Sequence, residues 1–216
     1  MLWFAIPAVI LIGKVIYDAV TDEDQSPPSR QKSILELNFE RLKNQISSQP
    51  GYKIAIIGQP GAGKSSLLKK MTDGEVVPLP VIGTQTDATD WSSDIGCNLL
   101  SIYKNYIFVD VPGYDTSSHP FHTFSSYFPF DYFDAFIFII HGKLHSSDED
   151  IFRLISRSGK KVCIAKSFAD SLEINDFKTV ENDMRTRLSL SDSTSILFFS
   201  NKTGEGIKSV FSSICR

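Results

Sequence analysis

The sequence predicts an α/β domain: a mainly parallel sheet with helices on both faces and one antiparallel hairpin at an edge. Three observations predict it. Strand and helix signals alternate from Tyr52 to Ile214, a pattern that sets successive strands in parallel and covers both faces with helices. A glycine-rich turn, "GQPGAGKSS" (Gly58–Ser66), stands between an apolar run and a helix. "NLLSIY", a Lys104-Asn105 turn and "YIFVDV" read as a single hairpin.

The elements follow in order. Residues 1–20, "MLWFAIPAVILIGKVIYDAV", are apolar from Leu2 to Ile12 and again from Val15 to Tyr17. A bilayer core needs about 20 mainly apolar residues, with a lower limit near 17, and this stretch reaches that limit if Lys14 snorkels to the interface. Trp3 and Tyr17 lie near its ends, where interfacial aromatics belong. No basic region precedes the run and no small-x-small site follows, which argues against a cleaved signal. The expectation is a single-pass membrane anchor, preceding a domain on the cytoplasmic side. Lys14, Arg30 and Lys32 then stay inside, as the positive-inside rule prefers. The alternatives are a helix buried against protein and a cytoplasmic chain. Residues 21–32 read as a polar, proline-containing linker.

Residues 33–49 read as an amphipathic helix, with Ile34, Leu35, Leu37, Phe39, Leu42 and Ile46 on its apolar face and Ser33 with Glu36 as a capping box. The α/β domain spans 50–216. Its strands are expected at Tyr52–Ile57, Asn98–Tyr103, Tyr106–Val111, Asp134–Ile140, "KKVCIAK" and Ser195–Ser200. Its helices are expected at Ser65–Met71, "SSDEDIFRLISRSG", Glu173–Leu190 and Gly206–Ile214.

Composition narrows the function. The net charge is -3, so no bulk basic field draws the chain to nucleic acid, and none is expected as a partner. Cys97, Cys163 and Cys215 lack metal-ligand spacing and fit a reducing compartment. Many of the 16 phenylalanines fall between Phe108 and Phe138. There "HPFHTFSSYFPFDYF" reads either as core packing or as a partner surface.

Gly58 to Ser65 fits G-x-x-x-x-G-K-[ST], with a strand before it and a helix after. The residues Gly58, Gln59, Pro60, Gly61, Ala62, Gly63, Lys64, Ser65 and Ser66 should wrap a phosphate chain. Glycines let backbone N–H groups face it, and the helix start adds a positive end. Lys64 should reach the terminal phosphates as a catalytic group, and Ser65 should ligate Mg²⁺. In "DVPGYD", Asp110 can hold the second shell of the metal and the Gly113 N–H can contact a γ-phosphate.

Together these motifs resemble a G domain of the translation-factor-related class, which includes Era-like and septin-like proteins. "GQPGAGKSSLL", "DVPGYDT" and the order of "YFDAFIFII", "SSDEDIFRLISRSGKKVCIAK" and "DSL" are most similar to the immunity-related GTPases and their bacterial relatives. The resemblance implies GTP/GDP and Mg²⁺ as ligands. It also implies a switch threonine on the metal, for which "VIGTQTDATDW" offers Thr84 and Thr86 ahead of Thr89. Guanine is read in such families by [NT]-K-x-D, where Lys packs over the base and Asp accepts from its N1 and N2 groups. "AKSFADS" puts Lys166 in place, Phe168 at the Asp position and Asp170 two residues late. Asp170 then either reaches the base through a bulge or caps a helix. "FFSNKTGEG" offers Ser200, Asn201 and Lys202 as the last base-contact motif, or as a plain loop.

Two departures bear on rate. Tyr114 stands where Ras-like enzymes place a water-orienting Gln. Gly61 stands where Era-like loops often carry an Asn. Gln59, His119, His122, His141 and His145 are conceivable helpers, although each histidine reads first as a solvated surface residue. The expectation is a membrane-tethered GTP-binding switch with slow Mg-dependent hydrolysis. A protein partner or self-association would supply any missing group. The alternatives are a pseudo-GTPase interaction module and an ATP-binding protein.

Overall fold

The computed structural model describes residues 30–83 and 89–215. The chain divides into two units, Met1–Lys32 and Ser33–Arg216, and the fold below is that of the second. The single-pass membrane placement is corrected: among the described residues no helix is long and apolar enough to cross a membrane. The expected apolar helix over 1–20 lies outside the described residues.

Helix α1 (Ile34–Ser48) forms as its sequence predicts. Ser33 Oγ accepts from Glu36 N at 3.2 Å, and the Glu36 carboxylate accepts from Ser33 N at 2.8 Å. This capping box satisfies two of the free N–H groups of the first turn. Leu35, Phe39, Leu42 and Ile46 are buried on one face. Each such side chain is worth roughly 1.5–3 kcal/mol on leaving water.

The remaining elements are β1 (Tyr52–Gly58), α2 (Lys64–Met71), β2 (Ser101–Tyr103), β3 (Tyr106–Asp110), α3 (Phe121–Tyr127), β4 (Ala135–Ile140), α4 (Ser146–Arg157), β5 (Lys161–Lys166), α5 (Asp176–Arg187), β6 (Ile196–Phe198) and α6 (Ile207–Ile214). The sheet has six strands in the order β2-β3-β1-β4-β5-β6. Only β2 with β3 is antiparallel, and the other pairs are parallel.

Alternate residues of β1 feed two cores. Ala55 and Ile57 join the cluster under α1, α3, α4 and α5. Ile54 and Ile56 join the cluster under α2 and α6. Period-two alternation in a fully buried strand is what requires helices on both faces. Because β3 and β4 lie on opposite sides of β1, the sheet changes direction there. Such a switch point opens a crevice beyond the carboxyl ends of the strands.

Strand β2 is shorter than expected. Asn38 Nδ2 donates to Trp91 O at 2.7 Å and to Asp94 O at 2.9 Å, which ties the preceding loop to α1. Leu99 then turns into the core rather than extending the ladder. Helix α5 is also shorter than expected, ending near Ser189 in the left-handed region (φ 52°). The aromatic stretch packs inward. Phe124 stacks on Phe128 at 4.8 Å between centroids, and Phe128 on Phe133 at 5.4 Å.

Candidate functional site

β1 ends at Gly58, and the chain turns through Gln59–Gly63 into α2. Gly63 adopts φ 87°, and a side chain there would sit 2.5 Å from Asn201 Nδ2. Only glycine fits. Asn201 Nδ2 donates to Gly63 O at 3.0 Å, so the turn after β6 is fastened to this loop. Gly113 approaches as closely from the other side, since a Cβ there would lie 2.4 Å from Pro60 Cδ.

Lys64 is buried, and its Nζ donates to Gly58 O at 2.9 Å and Gln59 O at 3.0 Å. Ser65 Oγ donates to Asp110 Oδ2 at 2.5 Å. Thr89 Oγ1 donates to the same oxygen at 3.4 Å. Burial pushes the Asp110 carboxyl up, while the Lys64 charge and the two hydroxyls oppose that. Asp110 Oδ1 is buried and makes no hydrogen bond. A buried carboxylate oxygen without a donor is costly. Together with the Ser65 hydroxyl it forms a hard oxygen set that fits Mg²⁺. Thr84 and Thr86 lie outside the described residues. Thr89, ranked behind them from sequence, is the threonine found at this carboxylate.

Lys64, Ser65 and Thr89 border a cavity of about 410 Å³. Gly61, Gly63, Ser66 and Gly113 line it, and so do Phe168, Asn201 and Lys202. Ala62 is buried. Gln59 turns away, donating to Ser147 Oγ at 3.1 Å and Asp148 Oδ1 at 2.9 Å.

The segment after β5 departs from the register expected from sequence. Lys166 closes β5, is buried and donates to Gly142 O at 2.7 Å. The turn begins at Ser167, and Phe168 borders the cavity. Asp170 accepts from Ser200 Oγ at 2.6 Å, and Ser200 Oγ accepts in turn from Lys202 N and Thr203 N, both at 3.1 Å. Asp170 and Ser200 are thus brought together, Lys166 ends β5, and Phe168 is the residue of this segment that borders the cavity.

One histidine differs from expectation. His119 is fully buried rather than solvated. Its Nε2 accepts from Trp91 N at 3.2 Å and lies 3.3 Å from Asp90 Oδ1. Tyr114 is also fully buried. Nothing in the local sequence marks either, because both are buried by segments distant in the chain.

The family described as 50S ribosome-binding GTPase matches residues 53–167, more than half of the chain. The chain belongs to this family. As a 50S ribosome-binding GTPase family member it is a GTPase domain, and GTP or GDP with Mg²⁺ is its ligand set. It is 28% identical over 191 residues to the GTPase Der of Lachnoclostridium phytofermentans, covering 81% of this chain and 40% of that protein. It spans about two fifths of the length of the curated relatives it matches. Among solved structures it is similar to a probable GTP-binding protein EngB, with a TM-score of 0.53 and 14% identity over 75% of this chain and 96% of that one. It is also similar to a bacterial selenocysteine-specific elongation factor EF-Sec, with a TM-score of 0.56 and 17% identity over 77% of this chain and 28% of that one. At these identities the structures show the fold alone. The relatives support a G domain with Der-like kin at low identity; the Era-like, septin-like and immunity-related classes are not confirmed.

Proposed function

We propose that this domain is a nucleotide-dependent switch that hydrolyses GTP slowly. In this reading the backbone N–H groups of Gly58–Gly63 and the start of α2 cradle the phosphates. Lys64 leaves its carbonyl partners for the β- and γ-phosphates. Ser65 and Asp110 hold Mg²⁺, which when bound neutralises charge developing on the phosphates. The Gly113 N–H contacts the γ-phosphate, and Thr84, Thr86 or Thr89 closes on the metal. Ser200, Asn201 and Lys202 contact the base beside Asp170. Lys166, held by Gly142 O, is not assigned to the base.

The observation that carries the slow rate is Tyr114. Its ring is buried and its hydroxyl is engaged by Asp148, so the position that orients water in Ras-like enzymes is withdrawn from the cavity. Gln59 is held by α4 in the same way. A protein partner or a second copy would then supply the missing group. The family description names 50S ribosome binding, but a net charge of -3 gives no bulk attraction for RNA, and nucleotide is the ligand assigned here. Kinship with the immunity-related GTPases rests on motif order alone.

The same Tyr114 supports a second reading, a domain that keeps nucleotide without turning it over and acts by recruiting a partner. One experiment separates the two. The full-length chain is titrated with fluorescent GDP, GTP and ATP analogues with and without Mg²⁺, and phosphate release is followed. Guanine-selective binding with measurable turnover supports the slow switch. Binding without turnover supports the recruiting module. A preference for ATP overturns both.

A further inference from the structure

Just beyond β5 an aromatic ring is held open at the nucleotide cavity. Phe168 is 42% exposed, although a ring of this size is usually covered. Its backbone is left-handed, with φ 58°, which is rare for a bulky residue and strained. Exposure and strain meet at one residue, and that residue borders the cavity. Strain of this kind is retained where it serves a site.

The surroundings hold the ring in place. The His141 ring packs against it at 4.5 Å between centroids and 49° between planes. Burial, and then the Lys166 charge, hold the His141 imidazole below its usual pKa, so the supporting ring is neutral at pH 7. Ala169 N donates to Phe199 O at 3.1 Å, which pins the turn to the chain after β6. Asn201 in turn is bonded to Gly63 O. The phosphate loop and the Phe168 turn are therefore joined through one short segment, Phe199–Asn201.

We propose that Phe168, supported by His141, is the stacking platform for the nucleotide base in this chain. The proposal rests on the reading of the cavity as a nucleotide site. It replaces the aliphatic stem of a lysine by a π-face, which every base can use. Two consequences follow from that chemistry. The ring adds affinity for guanine and adenine nucleotides alike, because stacking does not read the edge of the base. Discrimination between them must then come from other groups, so removal of the ring leaves the GDP-to-ADP affinity ratio unchanged.

The test uses the full-length chain, GDP with Mg²⁺ and isothermal titration of the wild type, Phe168→Ala, Phe168→Trp and Lys64→Ala. Phe168→Ala should weaken GDP binding roughly ten-fold or more, whereas Phe168→Trp should stay within about three-fold of the wild type. Apo thermal unfolding should be similar for both, since the ring is exposed. In the wild-type complex the base H8 proton should move upfield by ring current, and the shift should vanish in Phe168→Ala. A Phe168→Ala chain that binds GDP as tightly as the wild type overturns the platform alone. A wild type that binds no GDP overturns the nucleotide reading and the platform with it. Loss of binding in Lys64→Ala alongside an unaffected Phe168→Ala locates the failure at the platform.

Discussion

The Tyr114 hydroxyl donates to Asp148 Oδ1 at 2.6 Å, and both side chains are buried. The bond joins the turn after β3 to the first turn of α4. Asp148 also accepts from Gln59 Nε2 and, through Oδ2, from His145 N at 2.7 Å. One buried carboxylate thus gathers a residue of the phosphate loop and the residue after D-x-P-G. Tyr114→Phe removes one of its donors and should destabilise the fold by about 1–3 kcal/mol. Urea denaturation of the two chains checks this.

The same bond sets a pH dependence. Burial first, and the Asp148 charge next, raise the Tyr114 hydroxyl well above its ordinary range. A folded pKa raised above the unfolded one gives stability that is complete below the unfolded value, about 10 for tyrosine. It is lost as pH rises through the folded value. The stability gap between wild type and Tyr114→Phe should therefore narrow above about pH 10. Paired denaturation curves at neutral and alkaline pH measure it, and a widening gap contradicts the assignment.

The aromatic stretch is core. Phe124 is fully buried and also meets Phe39 of α1 edge-on at 5.7 Å. Phe124→Ala should cost about 3–5 kcal/mol, read as a lower denaturant midpoint. A near-neutral result would place the ring at a surface.

How much of this is legible in sequence depends on range. The phosphate loop is legible because its glycines, Lys64 and Ser65 act within one short contiguous segment with a strand and a helix at its ends. The capping box of Ser33 and Glu36 is local in the same sense. The base-side register is not, because the turn after β5 is held by segments distant in the chain: Ser167 N donates to Ile140 O at 3.0 Å and Ala169 N to Phe199 O at 3.1 Å. Thr89 comes to Asp110 through packing of the 89–97 loop against Asn38, a contact between segments far apart in the chain. His119 is likewise buried by Trp91.

Ser200 links stability to recognition. Its Oγ donates to Asp170 and accepts two backbone N–H groups. Ser200 is fully buried, and Ser200→Ala removes the partner of three groups carried by exposed residues. Stability should fall by about 0.5–1.5 kcal/mol, and GDP should bind more weakly, by roughly ten-fold. Thermal unfolding and titration of the same preparation test both parts.

Lys64 is the residue on which the nucleotide assignment turns, since it is the cation buried in the loop that faces the cavity. The most direct measurement is the affinity of full-length wild type and Lys64→Ala for a fluorescent GDP with Mg²⁺. Loss of the ammonium from the phosphates should weaken binding by roughly a hundred-fold or more. An affinity unchanged by Lys64→Ala would contradict the assignment of Gly58–Ser65 as the phosphate loop.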